Sequence, residues 1–270
     1  MSTEGWARIG APRVSTRQII QMAENLIKDY VWATQPSLDL LTINFDHVYE
    51  NYVYPKYEIV LNEQYDLGYD EMGKKILGEF DYENNTVYID KALNARNSRR
   101  AFTCWHEVGG HAILQGDWLR GEWARIRGLR HLTTTDDAID GRTESLLEQQ
   151  ANRFAAHAAA PSWFLRYVVR RVFDITRPVR YIGPTRYCLS VNRRTLYRQV
   201  YNVDELCRFM AEHIQWRFGG LSLESLGYRI AEDGYVIYLT RSAPRLRRVA
   251  PTATPWTTSL RQSALAESVF

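Results

Sequence analysis

The chain has 270 residues, 45% of them hydrophobic and 24% charged, which suffices for a buried core and excludes disorder throughout. A net charge of +3 is too small by itself to mark a nucleic-acid binder, and the three widely spaced cysteines (Cys104, Cys188 and Cys207) form neither a secreted disulfide framework nor a CxxC knuckle. With no apolar signal core in the first residues and no apolar run near the ~18 residues of a membrane span, a cytoplasmic protein in a reducing compartment is expected.

Residues 1–14 are small and polar, and are expected to be mobile. A helix is predicted from Thr16 to Trp32, because Ile19, Ile20, Ala23, Leu26 and Ile27 recur at helical spacing behind a Ser15 N-cap. Tyr57–Leu61, Ile76–Tyr82 and Thr86–Asp90 read as strands, the last two joined by the Asn84-Asn85 turn, and predict a small antiparallel sheet. A helix holding Phe102 through Leu114 follows. A second long helix is predicted from Thr143 to Ala160, with an apolar stripe of Leu146, Leu147, Ala151, Phe154, Ala155 and Ala158, stopped by Pro161. Residues 162–172, 191–200 and 203–218 are read as helical. Tyr228–Ile230 and Tyr235–Leu239, split by Asp233-Gly234, are read as a late hairpin. From 241 onward Arg, Pro, Ser and Thr dominate, and a tail with little fixed structure is expected.

The informative stretch is Thr103-Cys104-Trp105-His106-Glu107-Val108-Gly109-Gly110-His111. Zinc peptidases use His-Glu-x-x-His on a helix, where histidines at i and i+4 reach one metal ion and the glutamate acts on its bound water. Here the second histidine falls at i+5, which an α-helix rotates by about 140°, so the rings diverge. Two outcomes stay open. A π-bulge, made cheap by the Cβ-less pair Gly109-Gly110, brings His111 back to the face of His106; otherwise the site is damaged. Catalytic zinc takes three protein ligands. Glu148 on the second helix, one turn before Asn152 on the same face, is the candidate for the third, with Glu144 and Asp117 in reserve.

These residues resemble a known family. Arg100-Ala101-Phe102-Thr103-Cys104-Trp105-His106-Glu107-Val108-Gly109 is similar to the motif helix of the ImmA/IrrE metallopeptidases. Glu148-x-x-Ala151-Asn152-Arg153-Phe154-Ala155-Ala156, followed by Pro161, is similar to the family's second signature, whose glutamate is the third metal ligand. The strand candidates at 76–80 and 86–89, and Leu189-Ser190-Val191-Asn192, resemble further elements, so the likeness spans roughly residues 15–230. The inserted glycine, and His157 with Ala158-Ala159-Ala160 in place of Glu-Leu-Leu-Met, depart from the pattern.

The resemblance implies an α+β fold, a mainly helical zincin-like peptidase domain with the small antiparallel sheet before the motif helix. It divides the chain into a mobile terminus (1–14), a metallopeptidase domain (15–165), a basic helical region with a late hairpin (166–240) and a disordered tail (241–270). His106, His111 and Glu148 would hold Zn2+, for which manganese or iron are substitutes at similar ligands. Glu107 would be the catalytic base. The implied substrate is a protein, a helix-turn-helix repressor cut in response to stress, phage or mobile-element signals. Among the remaining histidines, His157 is read as structural and His131 as a loop residue. The arginines of 166–198 raise DNA contact as a further expectation, with Ser190–Tyr197 reading as a recognition helix. The rival function is an inactive peptidase-like protein that binds a repressor or DNA.

Overall fold

The protein is described by a computed structural model over residues 14–70, 72–93, 98–125 and 141–238. The expected mobile terminus up to residue 13, the tail from 239 onward and His131 lie outside the described residues, as does the side chain of Glu144. Helices and small sheets mix in an α+β fold. Among the described residues no helix is long and apolar enough to cross a membrane.

The chain divides into two units, Met1–Pro36 with Phe45–Ala158, and Ser37–Asn44 with Ala159–Phe270. The break falls earlier than the expected 165/166, and residues 37–44 belong with the later part. The reason is pairing: β1 (Ile43–Asn44) runs parallel to β8 (Phe218–Gly219), and the buried Arg217 side chain donates to the carbonyls of Leu38 and Leu41.

In the first unit, α1 (Thr16–Thr34) starts at a capping box, with Ser15 and Gln18 satisfying each other's backbone N–H groups. It buries Ile19, Ala23, Leu26 and Ile27 of the stripe expected from spacing, adds Tyr30, and leaves Ile20 half-buried at the edge. α2 (Phe45–Val48), a π-helical turn π1 (Tyr49–Val53) and α3 (Tyr54–Tyr57) follow, then β2 (Val60–Asn62), β3 (Gly78–Asp81) and β4 (Thr86–Ile89). The sheet order is β2-β4-β3. β3 and β4 form the expected antiparallel pair, but β2 runs parallel to β4, so the sheet is mixed rather than antiparallel. A long return segment makes this possible. Buried Asp90 fastens it, accepting from the backbone N–H groups of Leu67 and Ala92 and pairing with Lys75 at 2.9 Å. The helix holding His106, Glu107 and His111 is α4 (Ser98–Cys104), π2 (Trp105–Gln115) and α5 (Gly116–Arg125) in succession, and α6 (Gly141–Ala159) is the second long helix expected from the apolar spacing.

The second unit holds α7 (Ser162–Phe173), β5 (Val179–Tyr181), β6 (Thr185–Val191), β7 (Arg194–Val200), α8 (Val203–Ile214), α9 (Leu223–Glu232) and β9 (Val236–Tyr238). Two expectations are corrected. Residues 191–200 are not helical: β6 and β7 form an antiparallel hairpin in which Tyr187, Leu189 and Val191 alternate inward. Tyr228–Ile230 is not a strand of a late hairpin. It lies in α9, capped by Ser222, while β9 pairs in parallel with β5. Arg229 explains the difference, because its fully buried guanidinium reaches the Ala160 carbonyl and the Ser162 hydroxyl and pairs with Glu232 and Asp233. A helix places those partners together; a hairpin would not.

Candidate metal centre

The site is anchored at the start of the motif helix. Arg100, nearly buried, donates to both carboxylate oxygens of Glu63 at 2.7 and 2.9 Å and to Asp46 at 2.7 Å. One turn on, the buried Trp105 packs edge-on against Phe45, ring centroids 5.1 Å apart. These contacts fix where π2 begins and which way it faces.

From Trp105 to Gln115 the helix is π-wound. Its bonds close from i to i+5, so residues five apart stack one above the other. The extra residue between the histidines is absorbed by the winding, and the rings of His106 and His111 lie side by side, centroids 4.7 Å apart and Nε2 atoms 3.0 Å apart. The two glycines do more than relax the backbone. A Cβ on Gly109 would sit 2.5 Å from the Phe154 ring, and one on Gly110 would sit 2.4 Å from the Ala151 Cβ and 2.5 Å from its Cα. Both positions are therefore where π2 presses against α6, and only hydrogen fits there.

That close approach sets Glu148, one turn ahead of the Ala151 contact, against both histidines. Its two oxygens lie 3.2 Å from His106 Nε2 and 3.2 Å from His111 Nε2. The three candidate ligand atoms all fall within 4.8 Å of one another. The outer ring nitrogens are held as well. His106 Nδ1 donates to Asn152 Oδ1 at 3.2 Å, and His111 Nδ1 donates to Gln115 Oε1 at 2.9 Å. Gln115 in turn donates to the Leu147 carbonyl at 2.8 Å, tying the end of π2 to α6. With Nδ1 engaged outward, Nε2 of each ring is the nitrogen that faces inward and that, once deprotonated, could take a metal ion. The histidine side chains are only 12% and 16% exposed, while Glu148 is 42% exposed and marks the open side.

The electrostatics are tightly coupled. Burial raises the Glu107 carboxyl above the ordinary range, an effect the two imidazoles oppose and Glu148 and Glu79 add to. Burial would lower His111, but the Glu148 carboxylate outweighs it and holds the imidazole up at about 9. Glu148 goes well below its usual range because the two imidazoles overcome its desolvation. Glu107 itself sits against β3, where a Cβ on Gly78 would be 2.6 Å from its Cγ.

Of the sequence candidates, His106, His111 and Glu148 come together. Asp117 does not join them; its exposed side chain pairs with Arg120 at 2.7 Å. His157 is buried in α6, as a structural residue should be. Gln115 was not singled out by sequence, although its position four residues after His111 is a signal that could have found it.

No family model matches the chain, and no curated protein matches it. Among solved structures it is similar to a Mycobacterium tuberculosis transcriptional regulator at 14% identity and a TM-score of 0.43. That likeness covers 86% of this chain and 49% of the other, so the chain spans about half the length of its neighbour, and it is too distant to carry an argument.

Proposed function

We propose that the chain is a zinc-dependent endopeptidase of the ImmA/IrrE type, with a zincin-like first unit, working in a reducing cytoplasmic compartment. The observation that carries this reading is the convergence of His106, His111 and Glu148 despite the five-residue spacing of the histidines. Their ligand atoms are 3.0, 3.2 and 3.2 Å apart. Zinc bonds of 2.0–2.1 Å in a tetrahedron need ligand separations of roughly 3.3 Å, so the donor set fits the ion with little movement. Two imidazoles, each held at Nδ1 by a second contact, and one carboxylate also match its chemistry once His111 has given up its proton to the bulk.

When bound, zinc supplies Lewis acidity, lowering the pKa of a water ligand to about 7 and polarising a scissile carbonyl. The chain's own residues do the rest. Glu107, beside the histidines and kept from bulk water, accepts the proton of the attacking water on its carboxylate and passes it to the leaving amine nitrogen. Asn152 and Gln115 keep the histidines in the required tautomer. Glu148 leaves one side open for a polypeptide to enter. The family likeness directs the search for a substrate to a helix-turn-helix repressor.

Metal analysis of protein purified without chelator should give about one zinc per chain. Glu107→Gln should keep that zinc and lose cleavage of the repressor or of a peptide library. A metal-free protein, or a Glu107→Gln variant cleaving at the wild-type rate, would refute the reading. The first result would favour a peptidase-like binding protein instead.

A further inference from the structure

Residues 175–203 contain six arginines, no lysine and no aspartate or glutamate, so this stretch carries +6 in a chain whose net charge is +3. The charge is not on a recognition helix. It is carried mainly by the β6–β7 ribbon. Arg198 is turned inward, paired with Glu212 at 2.7 Å and lying over Phe209. Arg186, Arg193 and Arg194, with Arg180 on β5, are exposed, and none of the four has an ion-pair partner among the described residues.

The ribbon is two-faced. Tyr187, Leu189, Val191 and Val200 are buried and anchor it. On the other face Arg186 opposes Gln199, Cys188 opposes Tyr197 and Ser190 opposes Thr195, and all six are exposed. The Arg186 guanidinium lies 4.8 Å from the centre of the Tyr197 ring. No third strand joins either edge among the described residues. The tip is Asn192-Arg193, with φ of 49° and 65°. A two-residue turn with both φ positive favours Asn-Gly. An arginine therefore occupies the position where glycine would be free of strain, and strain kept at an exposed cation points to a use for the cation.

We propose that this ribbon enters the major groove of duplex DNA, with Arg193 and Arg194 on phosphates and the Arg186, Ser190, Thr195, Gln199 face toward base edges. A B-form major groove admits a two-stranded ribbon, and guanidinium, hydroxyl and carboxamide groups are the ones that pair with base edges there. Arginine, with its planar fork, suits bidentate phosphate contact. An acidic polypeptide would use the charge and leave the neutral polar row without a purpose. The deep, narrow groove of duplex RNA would exclude the ribbon.

The test is fluorescence anisotropy of the full chain with a labelled mixed-sequence DNA duplex of about 20 base pairs, from ~50 to ~200 mM salt. The expected slope of log affinity against log salt is about −3 or steeper. Arg193→Gly should weaken binding about threefold to tenfold and flatten the slope by about 1, with no fall in Tm, and Arg186→Gln should weaken it similarly. A chelator should leave binding unchanged, so the result stands apart from that of the metal centre. The proposal is overturned by absence of binding at ~50 mM salt, by a slope flatter than about −1, or by wild-type affinity in both variants. Equal affinity for duplex RNA or for polyaspartate overturns it as well.

Discussion

Replacing Gly110 with alanine tests whether the helix contact builds the proposed metal centre. The new Cβ would lie 2.4 Å from the Ala151 Cβ and 2.5 Å from its Cα, and part of that obstacle is backbone that cannot swing aside. Carbon atoms rest about 3.5–4.0 Å apart, so π2 and α6 must separate locally by about 1 Å. Overpacking of this kind costs ~1–3 kcal/mol, and the gain in helix propensity returns at most about 1 kcal/mol. The net loss should be about 1–2 kcal/mol, roughly 3–6 °C in Tm for a chain of this size. The same displacement draws Glu148 away from the two Nε2 atoms, so zinc should bind at least about tenfold more weakly, equivalent to ~1.4 kcal/mol. Gly121→Ala is the control. It lies exposed in α5 with nothing within 4 Å of its would-be Cβ, and should be neutral or stabilising by up to about 1 kcal/mol. The assays are thermal unfolding of the chelated protein and competitive zinc titration. Gly110→Ala with wild-type Tm and wild-type zinc affinity would show that the close helix contact does not set the ligand geometry.

Gln115→Leu should lower zinc affinity about 10- to 100-fold by releasing His111, measured by the same titration; an unchanged affinity would remove Gln115 from the site. Deleting Gly110, which restores the four-residue spacing, should bring no gain in zinc affinity, because the π-winding already stacks the rings; a sharp gain would mean that the natural site is impaired. Arg100→Met should destabilise the chain by about 2–3 kcal/mol in denaturant unfolding, less than a deep ion pair because Asp46 and Glu63 are partly exposed. The last concerns acid. Asp66 is held at about 2, chiefly by the Lys75 ammonium, and Asp90 is lowered too, Lys75 and two backbone N–H groups outweighing its burial. A depressed carboxylate stabilises above its unfolded value of about 4 and stops doing so as pH falls through its folded one. Lys75→Met should therefore have a lower Tm than wild type near pH 6, with the gap closing between about pH 4 and pH 2. A gap that stays constant over that window would exclude the assigned linkage.

Much of the first unit could be read from residue order. The apolar spacing of Ile19, Ala23, Leu26 and Ile27, the Asn84-Asn85 turn and the stripe of α6 from Leu147 to Ala158 each gave a local pattern that packing did not override, although Leu146, expected in that stripe, is exposed. The histidines and Glu148 were legible because their chemistry is unusual at that spacing. Gln115 was not singled out: its place four residues after His111 is its one trace in the sequence, and that place gains meaning only beside the partners that the fold supplies. In the second unit the hairpin was hidden by Arg193: a two-residue turn without glycine gives no turn signal, and Ser190–Tyr197 then passes for a helix. Conversely, Asp233-Gly234 looks like a hairpin turn yet follows α9, with Gly234 at φ 75°. Both errors arise from backbone conformations chosen by tertiary contacts rather than by the residues at the bend.

The winding from Trp105 to Gln115 has a consequence for how such sites are recognised. What a metal ion requires is that two imidazoles share an azimuth, and the number of intervening residues is only a proxy that holds for one helical pitch. A pattern that fixes the gap at two residues passes over this chain. One that also admits a gap of three, whenever the added residue is a glycine facing a small residue on the neighbouring helix, would retrieve it.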